Sequence, residues 1–462
     1  MDADGAARAG HIGGGDRPRA TVIGGGLAGC EAAARLSSRG VPVRLMEMKP
    51  RVYSPAHASP GLAELVCSNS LRSDSPDSAV GLLKEEARLL GSLVMEAADK
   101  TRVPAGRALA VDRTAFSAHV TEKIKSDPGI ELVLGEEVAD LAPFVSSGEV
   151  VVVAAGPLAG AGLAASLARL AGAGNLHFYD ALAPIVTADS LDMDVVFRAD
   201  RYGEEGSGDY LNCPLDERQY EDFVKALLEA DKVAARDFEE ARFFEGCLPV
   251  EVMAQRNPRT LAFGPMKPVG LRDPRGGGKL AAAVQLRAEN EAGTHYNMVG
   301  FQTRLTVPGQ EAVFRMIPGL AGAVFARFGA VHRNTYLDAP RVLDEWQRLL
   351  PAPRVFLAGQ ISGVEGYVES AAQGLLAGEN AARTALGLDL LIPPPESALG
   401  SLVRYLRTGP PGRPFEPSNV NFGLFPPPPE SAPKRQRAAL RLERARQSFQ
   451  AFLTEVGHVR RS

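Results

Sequence analysis

Two of the four cysteines stand where a thiol can react. Cys67 lies in Glu64-Leu65-Val66-Cys67-Ser68-Asn69-Ser70-Leu71-Arg72-Ser73, among polar side chains that suit a loop or a helix start. Cys247 follows a glycine and stands two places before a proline in Phe244-Glu245-Gly246-Cys247-Leu248-Pro249-Val250-Glu251. A thiol in a polar, partly open setting ionises and attacks as the thiolate. The competing reading of each is a small packed residue at a turn, and composition alone leaves both open. Cys30, in an alanine-rich helical pattern, and Cys213, before Pro214, read as packing. Four cysteines without ligand spacing make neither a metal site nor a disulfide framework.

A second chemistry is carried by backbone rather than side chains. Val22-Ile23 runs into Gly24-Gly25-Gly26-Leu27-Ala28-Gly29, a Gly-x-Gly-x-x-Gly turn. A helical stretch from Cys30 to Ser38 follows, then a strand from Val41 to Met46 that ends at Glu47. This spacing predicts a βαβ unit that holds a dinucleotide. Gly24 permits the tight turn, Gly26 lets the backbone approach a pyrophosphate, and Gly29 with Ala33 lets the helix lie close to the sheet. The helix N-terminus offers its N–H groups to the phosphates, and Glu47 is placed to accept hydrogen bonds from a ribose diol. Gly13-Gly14-Gly15 follows no strand and reads as part of a flexible leader, 1–17.

A related junction returns near the C-terminus. An apolar strand ends at Ala358-Gly359-Gln360-Ile361-Ser362-Gly363-Val364-Glu365-Gly366-Tyr367, and a small-residue helix follows to Leu386. Gly359, Gln360, Gly363 and Gly366 are candidate cofactor contacts. Two glycine-rich junctions that bracket an insertion favour FAD over NAD. Between them, Val150 to Val153 forms a fully apolar run that fits a buried parallel strand.

These motifs need a scaffold, and 462 residues suffice for more than one domain at about 150 residues each. The spacing predicts helices over 79–98 and 113–125 and short strands at 108–111 and 130–133. From 189 to 303 charged and aromatic residues rise and no further nucleotide fingerprint follows a strand. The expected architecture is an α/β, doubly wound FAD-binding domain (18–188 and 304–392) interrupted by an inserted α+β substrate domain (189–303). A Pro-rich segment and a basic helix close the chain (393–462). The net charge of −4 does not mark the whole chain as a nucleic-acid binder. The basic helix, with Lys434, Arg435, Arg437, Arg441, Arg444 and Arg446, reads either as a phosphate-rich partner's footprint or as a solvated face. No uncharged apolar run is long enough to span a membrane, and no signal-peptide core opens the chain; a cytoplasmic protein is expected.

Several of these passages together resemble one family. Leu65 to Ser70, Gly246 to Glu251, Phe263-Gly264-Pro265-Met266-Lys267-Pro268-Val269-Gly270-Leu271, Asn297-Met298-Val299-Gly300-Phe301-Gln302-Thr303 and Ala358 to Tyr367 are similar, in the same order, to the bacterial folate- and FAD-dependent tRNA (uracil-5-)-methyltransferases. The resemblance covers about Ala20 to Arg446. It implies methylation of C5 of a T-loop uridine (position 54) in tRNA, with 5,10-methylenetetrahydrofolate as carbon donor, FAD as relay and NAD(P)H as reductant. It implies that Cys247 adds to uracil C6 and that Cys67 serves as the base for the C5 proton, with the two roles exchangeable. Tyr367 matches a tyrosine whose ring stacks on flavin, pterin or base. Val331-His332-Arg333-Asn334-Thr335-Tyr336 also resembles the family, with a flavin, folate or tRNA contact implied.

Three other readings compete. A related FAD enzyme of wobble-uridine modification would run longer at the C-terminus. A generic FAD/NAD(P)H oxidoreductase with a small-molecule substrate would not need Cys247. A flavin-binding tRNA chaperone would bind tRNA and leave C5 unchanged.

Overall fold

The computed structural model describes residues 19–172, 176–201, 208–233, 248–275, 280–427 and 437–457. The leader 1–17, Cys247, Lys434 and Arg435 lie outside them.

The apolar runs assemble into one six-stranded sheet. Its order is Arg348–Leu349, Ala352–Leu357, Val150–Val153, Ala20–Ile23, Val43–Glu47, Ile130–Leu134. All neighbours are parallel except the first pair. Ile23, Val153 and Leu357 are in register, so three strands end level and a crevice opens beyond their carboxyl ends. Val150–Val153 is buried on both faces, which is why it reads as an unbroken apolar run.

Two helices seal one face of this sheet, Leu27–Ser38 and Tyr367–Leu386. They touch through residues without bulk. A Cβ on Gly374 would stand 2.2 Å from Ala28 O, and one on Gly378 2.7 Å from Ala32 O. Only glycine allows that approach. Farther along, Glu379 accepts from Nε of Arg35 (2.7 Å), Arg39 (2.8 Å) and Arg383 (2.8 Å). Burial alone would raise the Glu379 carboxyl; the arginines outweigh it and hold the group below its ordinary range.

The helix expected over 79–98 is two helices, Ala79–Leu89 and Leu93–Lys100. Gly91 takes φ +80° between them, and the Ser92 hydroxyl caps the second by accepting from Met95 N–H at 3.0 Å. The apolar period runs through the break, which hides it from a periodicity count. Helix Arg113–Ser126 and strands Ala108–Val111 and Ile130–Leu134 lie where the pattern places them.

A second, antiparallel sheet has its own core. Its order is Phe197–Arg198, Tyr210–Leu215, Ala282–Ala288, His295–Met298, Ile185–Thr187, Phe325–Arg327. Sheet membership therefore extends past 189–303 at both ends. The chain enters this domain through Leu176–Ala181 and leaves it through Val331–Tyr336, which pair antiparallel from Ala181 opposite Val331 to Leu176 opposite Tyr336.

Helix Arg437–Gly457 buries Leu442, Ala445, Phe449, Phe452 and Val456 against the parallel-sheet domain. Its arginines are engaged within the chain. Arg444 Nη2 reaches Glu396 Oε1 (2.6 Å), Arg446 Nη2 reaches Glu85 Oε2 (3.0 Å), and Arg441 lies over the Phe422 ring. Both earlier readings of this basic helix left its arginines to solvent or a partner; these three are instead engaged by Glu396, Glu85 and Phe422 of the same chain.

One buried carboxyl makes stability pH-dependent. Glu86 caps helix Ala398–Thr408, accepting from Ala398 N–H (2.7 Å) and Leu399 N–H (2.8 Å). Burial outweighs these bonds and pushes its carboxyl up to about 8. The folded state then holds a proton that the unfolded chain, with an ordinary carboxyl, has released. Stability from this group is present at low pH and lost as pH rises toward about 8. Melting curves should show a lower Tm at pH 8 than at pH 6, and Glu86→Gln should flatten that fall. An unchanged slope in the variant would remove Glu86 as its source.

Candidate active site

The first glycine turn sits in the crevice. Gly24, Gly25, Gly26, Leu27 and Ala28 line it, and so do Glu47, Gly359 and Gln360. The three glycines of the fingerprint do different work. Gly24 has φ +104°, and a Cβ there would lie 2.5 Å from Ala154 O. On Gly29 it would lie 1.8 Å from Gly24 O, so this glycine closes the turn onto the helix. On Gly26 it would meet nothing within 4 Å. That open side faces the crevice, and no side chain caps the helix that starts there. The first-turn amides are thus free of side-chain competition for a pyrophosphate.

Glu47 is buried and already engaged. Its Oε2 accepts from Gly25 N–H (2.7 Å) and its Oε1 from Lys49 N–H (2.9 Å). It therefore shapes the turn as well as bordering the crevice where a ribose would sit. Gly359 (φ +79°) lies across from Ala28. Gly366 (φ +111°) starts the long helix, again without a side-chain cap, and lines a neighbouring cavity. Gly363 points away: a Cβ there would strike the Phe415 ring at 2.5 Å. The crevice fits a dinucleotide cofactor held by Gly24–Gly26, the Leu27 helix and Gly359. Gly26→Ala should fold and melt like wild type yet retain much less flavin, read as the ratio of flavin to protein absorbance. Full flavin retention would show that the open side of Gly26 is not the cofactor's place.

Next to this crevice lies a cavity of about 390 Å³ between the two domains, within the ~300–1,000 Å³ range of small-molecule sites. Val66, Pro157, Leu158, Gln360 and Tyr367 border both spaces. Cys67 and His332 open into the cavity. Cys67 is half-buried, on an irregular segment before strand Ser70–Ser73.

That segment is held by its backbone. The Tyr367 hydroxyl oxygen accepts from Cys67 N–H (2.7 Å) and Ser68 N–H (3.1 Å). Arg327 donates to Val66 O (2.8 Å) and Cys67 O (3.3 Å), and Arg113 donates to Leu65 O (2.7 Å). Arg287 reaches Asn69 Oδ1 (2.9 Å) and Ser68 Oγ (2.6 Å), while Asn69 Nδ2 donates to Val111 O (3.0 Å) and Ala288 O (2.9 Å). The antiparallel domain supplies Arg287, Ala288 and Arg327; the parallel one supplies Arg113 and Tyr367. Cys67 thus stands on a strap that ties the two domains together.

Burial pushes the Tyr367 phenol up, and Cys67 adds to the rise, so the hydroxyl keeps its proton. His332 Nε2 is buried without a hydrogen-bond partner among the described residues. Burial lowers its pKa, with Arg327 and then His57 adding to the shift, so the imidazole is neutral. Arg72 (φ +63°) borders the cavity and pairs with the buried Glu369, while Lys84 Nζ donates to Arg72 O (3.1 Å) and Ser73 O (2.7 Å).

Of the three side chains expected to do chemistry, Cys67 and Tyr367 meet here, and Cys247 lies outside the described residues. Cys30 and Cys213 are fully buried, and burial pushes both thiols up. Arg113, Arg287 and Arg327 carry no sequence signal of a site: each is a single arginine brought in from a distant part of the chain. His332 lies in the 331–336 passage that does carry one. Among the described residues no cluster of His, Cys, Asp and Glu is placed to hold a metal, and no helix is long and apolar enough to cross a membrane.

Comparison with known proteins finds close relatives of this chain. The family model described as "Glucose inhibited division protein A" matches residues 19–389. A protein of Geobacter sulfurreducens named methylenetetrahydrofolate--tRNA-(uracil-5-)-methyltransferase TrmFO is 58% identical over 94% of this chain and 99% of its own length. A protein of the same name from Nitratidesulfovibrio vulgaris is 57% identical over 95% of this chain and 92% of its own. Among solved structures, Aquifex aeolicus GidA superposes with a TM-score of 0.69, covering 96% of this chain and 74% of that one at 17% identity. That likeness speaks for the fold alone.

Proposed function

The chain belongs to the glucose-inhibited division protein A family and, within it, to the methylenetetrahydrofolate–tRNA-(uracil-5-)-methyltransferases, and from that premise we propose how its residues carry the reaction. The enzyme forms 5-methyluridine in tRNA, using FAD and methylenetetrahydrofolate. The reductant is NAD(P)H, and the target is the T-loop uridine at position 54. The observation that carries the residue assignment is the shared wall of Val66, Gln360 and Tyr367, which joins the dinucleotide crevice to the cavity of Cys67. A flavin ring at that wall and a base in the cavity would meet beside the thiol.

FAD, when bound, supplies the relay of the folate one-carbon unit and the electrons that complete the methyl group. The protein's task is to make uracil C5 a nucleophile. The Cys247 thiolate adds to C6, and the displaced π electrons load C5 and O4. C5 then takes the one-carbon unit. Cys67 accepts the proton that C5 sheds, and the C6–S bond to Cys247 breaks as the ring is restored. Tyr367 positions Cys67 by holding its N–H and that of Ser68. The arginines that hold the strap's carbonyls leave it little freedom to swing the thiol away.

The test is one incubation of purified protein with unmodified tRNA transcript, NADPH and methylenetetrahydrofolate labelled in the methylene carbon. Label in 5-methyluridine with wild type and not with Cys247→Ala supports the assignment. A flavoprotein that oxidises NADPH and leaves the tRNA unlabelled would overturn it in favour of a generic oxidoreductase. Tyr367→Phe leaves two amides without their acceptor, and should slow methylation by roughly 10–100-fold with flavin retained. A rate equal to wild type would show that the clamp does not position the thiol.

A further inference from the structure

Two side chains of the Cys67 cavity carry a buried polar atom with no hydrogen-bond partner among the described residues, His332 Nε2 and Asn297 Nδ2. His332 lies toward the cofactor: its imidazole feels the charge of His57, which lines the dinucleotide crevice. Asn297 borders the cavity and not the crevice, as Cys67 does. It is only 3% exposed, in strand His295–Met298.

Strand alternation sets where Asn297 looks. Leu286, Tyr296 and Met298 belong to the core of the antiparallel sheet. Arg287 and Asn297, which pair across the two strands, therefore share the opposite face. From that face Arg287 reaches Ser68 and Asn69, the two residues after Cys67. The other buried amides there are satisfied. Gln285 Nε2 donates to Asn212 Oδ1 (3.1 Å), Asn212 Nδ2 donates to Ala199 O (2.9 Å), and Asn69 uses both ends of its amide. A buried donor left unpaired is costly to keep. Asn297 keeps one beside the strap of the thiol, on the wall of the cavity that a substrate base would fill.

The chemistry calls for a donor in that cavity. When a thiolate adds to uracil C6, the C6–S bond forms and the C5=C6 π pair moves toward the C4 carbonyl, which leaves negative charge on O4. An N–H held ready for charge that develops in the reaction is an effective electrostatic catalyst. We propose that Asn297 is a further catalytic residue: its Nδ2–H donates to O4 of the target uracil and stabilises the enolate. No proton passes through Asn297, and the electron pair returns from O4 when C5 takes the one-carbon unit. This rests on the methyltransferase reading for the identity of the base, and adds the group that holds its charge.

The sample is the full-length flavoprotein, with unmodified tRNA transcript, NADPH and labelled methylenetetrahydrofolate in single-turnover assays. Asn297→Ala should slow methyl transfer by about 10²–10³-fold, while Kd for tRNA, the bound-flavin spectrum and the half-saturating folate concentration stay as in wild type. Asn297→Asp has nearly the same shape but an ionised carboxylate only accepts, so it should lose at least as much. A transcript with 4-thiouridine at the target separates charge stabilisation from a structural role. Sulfur is a weaker acceptor and carries the charge with less help, so the gap between wild type and Asn297→Ala should shrink. A wild-type rate in either variant, or a gap that is the same with oxygen and sulfur, would overturn the proposal. So would a higher half-saturating folate concentration with an unchanged rate at saturation, which would make Asn297 a pterin contact. Wild type that binds tRNA and makes no 5-methyluridine would instead sink the methyltransferase reading.

Discussion

Cys67→Ala should abolish 5-methyluridine formation, by on the order of 10³-fold or more, in a protein that stays folded and keeps its FAD. The geometry makes this substitution unusually clean. Every contact that holds the strap at position 67 is made by backbone: its N–H donates to Tyr367 and its carbonyl accepts from Arg327. Alanine keeps both. The sulfur is half-buried at a cavity wall, so its removal leaves space on the cavity side instead of a hole in the core. Loss of activity would then report chemistry, not collapse. Incorporation of labelled methylene carbon measures it, with the flavin spectrum as the control. A variant that keeps a tenth of the wild-type rate would deny Cys67 a place in the reaction.

Gly374→Val should act by the opposite route, through the scaffold. The long helix can bring its N-terminus to the crevice only because glycine faces Ala28. A Cβ at 374 would lie 2.2 Å from Ala28 O, against backbone that cannot rotate away. The helices must separate, and overpacking of this kind costs roughly 1–3 kcal/mol or more. The salt-bridged end at Glu379 resists the shift, so the displacement falls on the ends that face the cofactor. Both a lower Tm and a flavin-poor protein are expected, in contrast to Gly26→Ala, where the apoprotein is unharmed. A Gly374→Val protein with wild-type flavin content would mean that the helix seam does not set the crevice.

The parallel-sheet domain was legible because its signals are local. The Gly24-x-Gly26-x-x-Gly29 turn, the apolar strand at 150–153 and the 359–367 junction each place an element by themselves. The break at Gly91 leaves no mark in the pattern because the apolar period continues through it. Gly363 illustrates a related limit of sequence: the side on which a Cβ would sit faces the Phe415 ring, and a glycine in a loop looks the same whether it faces ligand or ring. The strap around Cys67 was illegible in principle. It depends on Arg113, Arg287 and Arg327 converging from positions far apart in the chain, and no spacing announces that. The end of strand Val43–Glu47 marks Glu47 in the sequence, but not its bond from Gly25 N–H, since a carboxylate's partners are set by tertiary approach.

The paired strands that carry the chain into and out of the antiparallel domain have an evolutionary consequence. Ala181 faces Val331, so the whole antiparallel-sheet domain hangs from two adjacent residues. Cut there and joined by a short turn, the two strands would form an ordinary hairpin, and the cofactor-binding body would lose no strand of its own sheet. A lineage can therefore gain, lose or exchange the antiparallel-sheet domain in one genetic event without rebuilding the parallel-sheet fold. What cannot be exchanged in one event is the strap. A new domain arriving at 182–330 would find Asn69 and the carbonyls of Val66 and Cys67 waiting for arginines it does not carry, so the Cys67 segment and its domain must change as a pair.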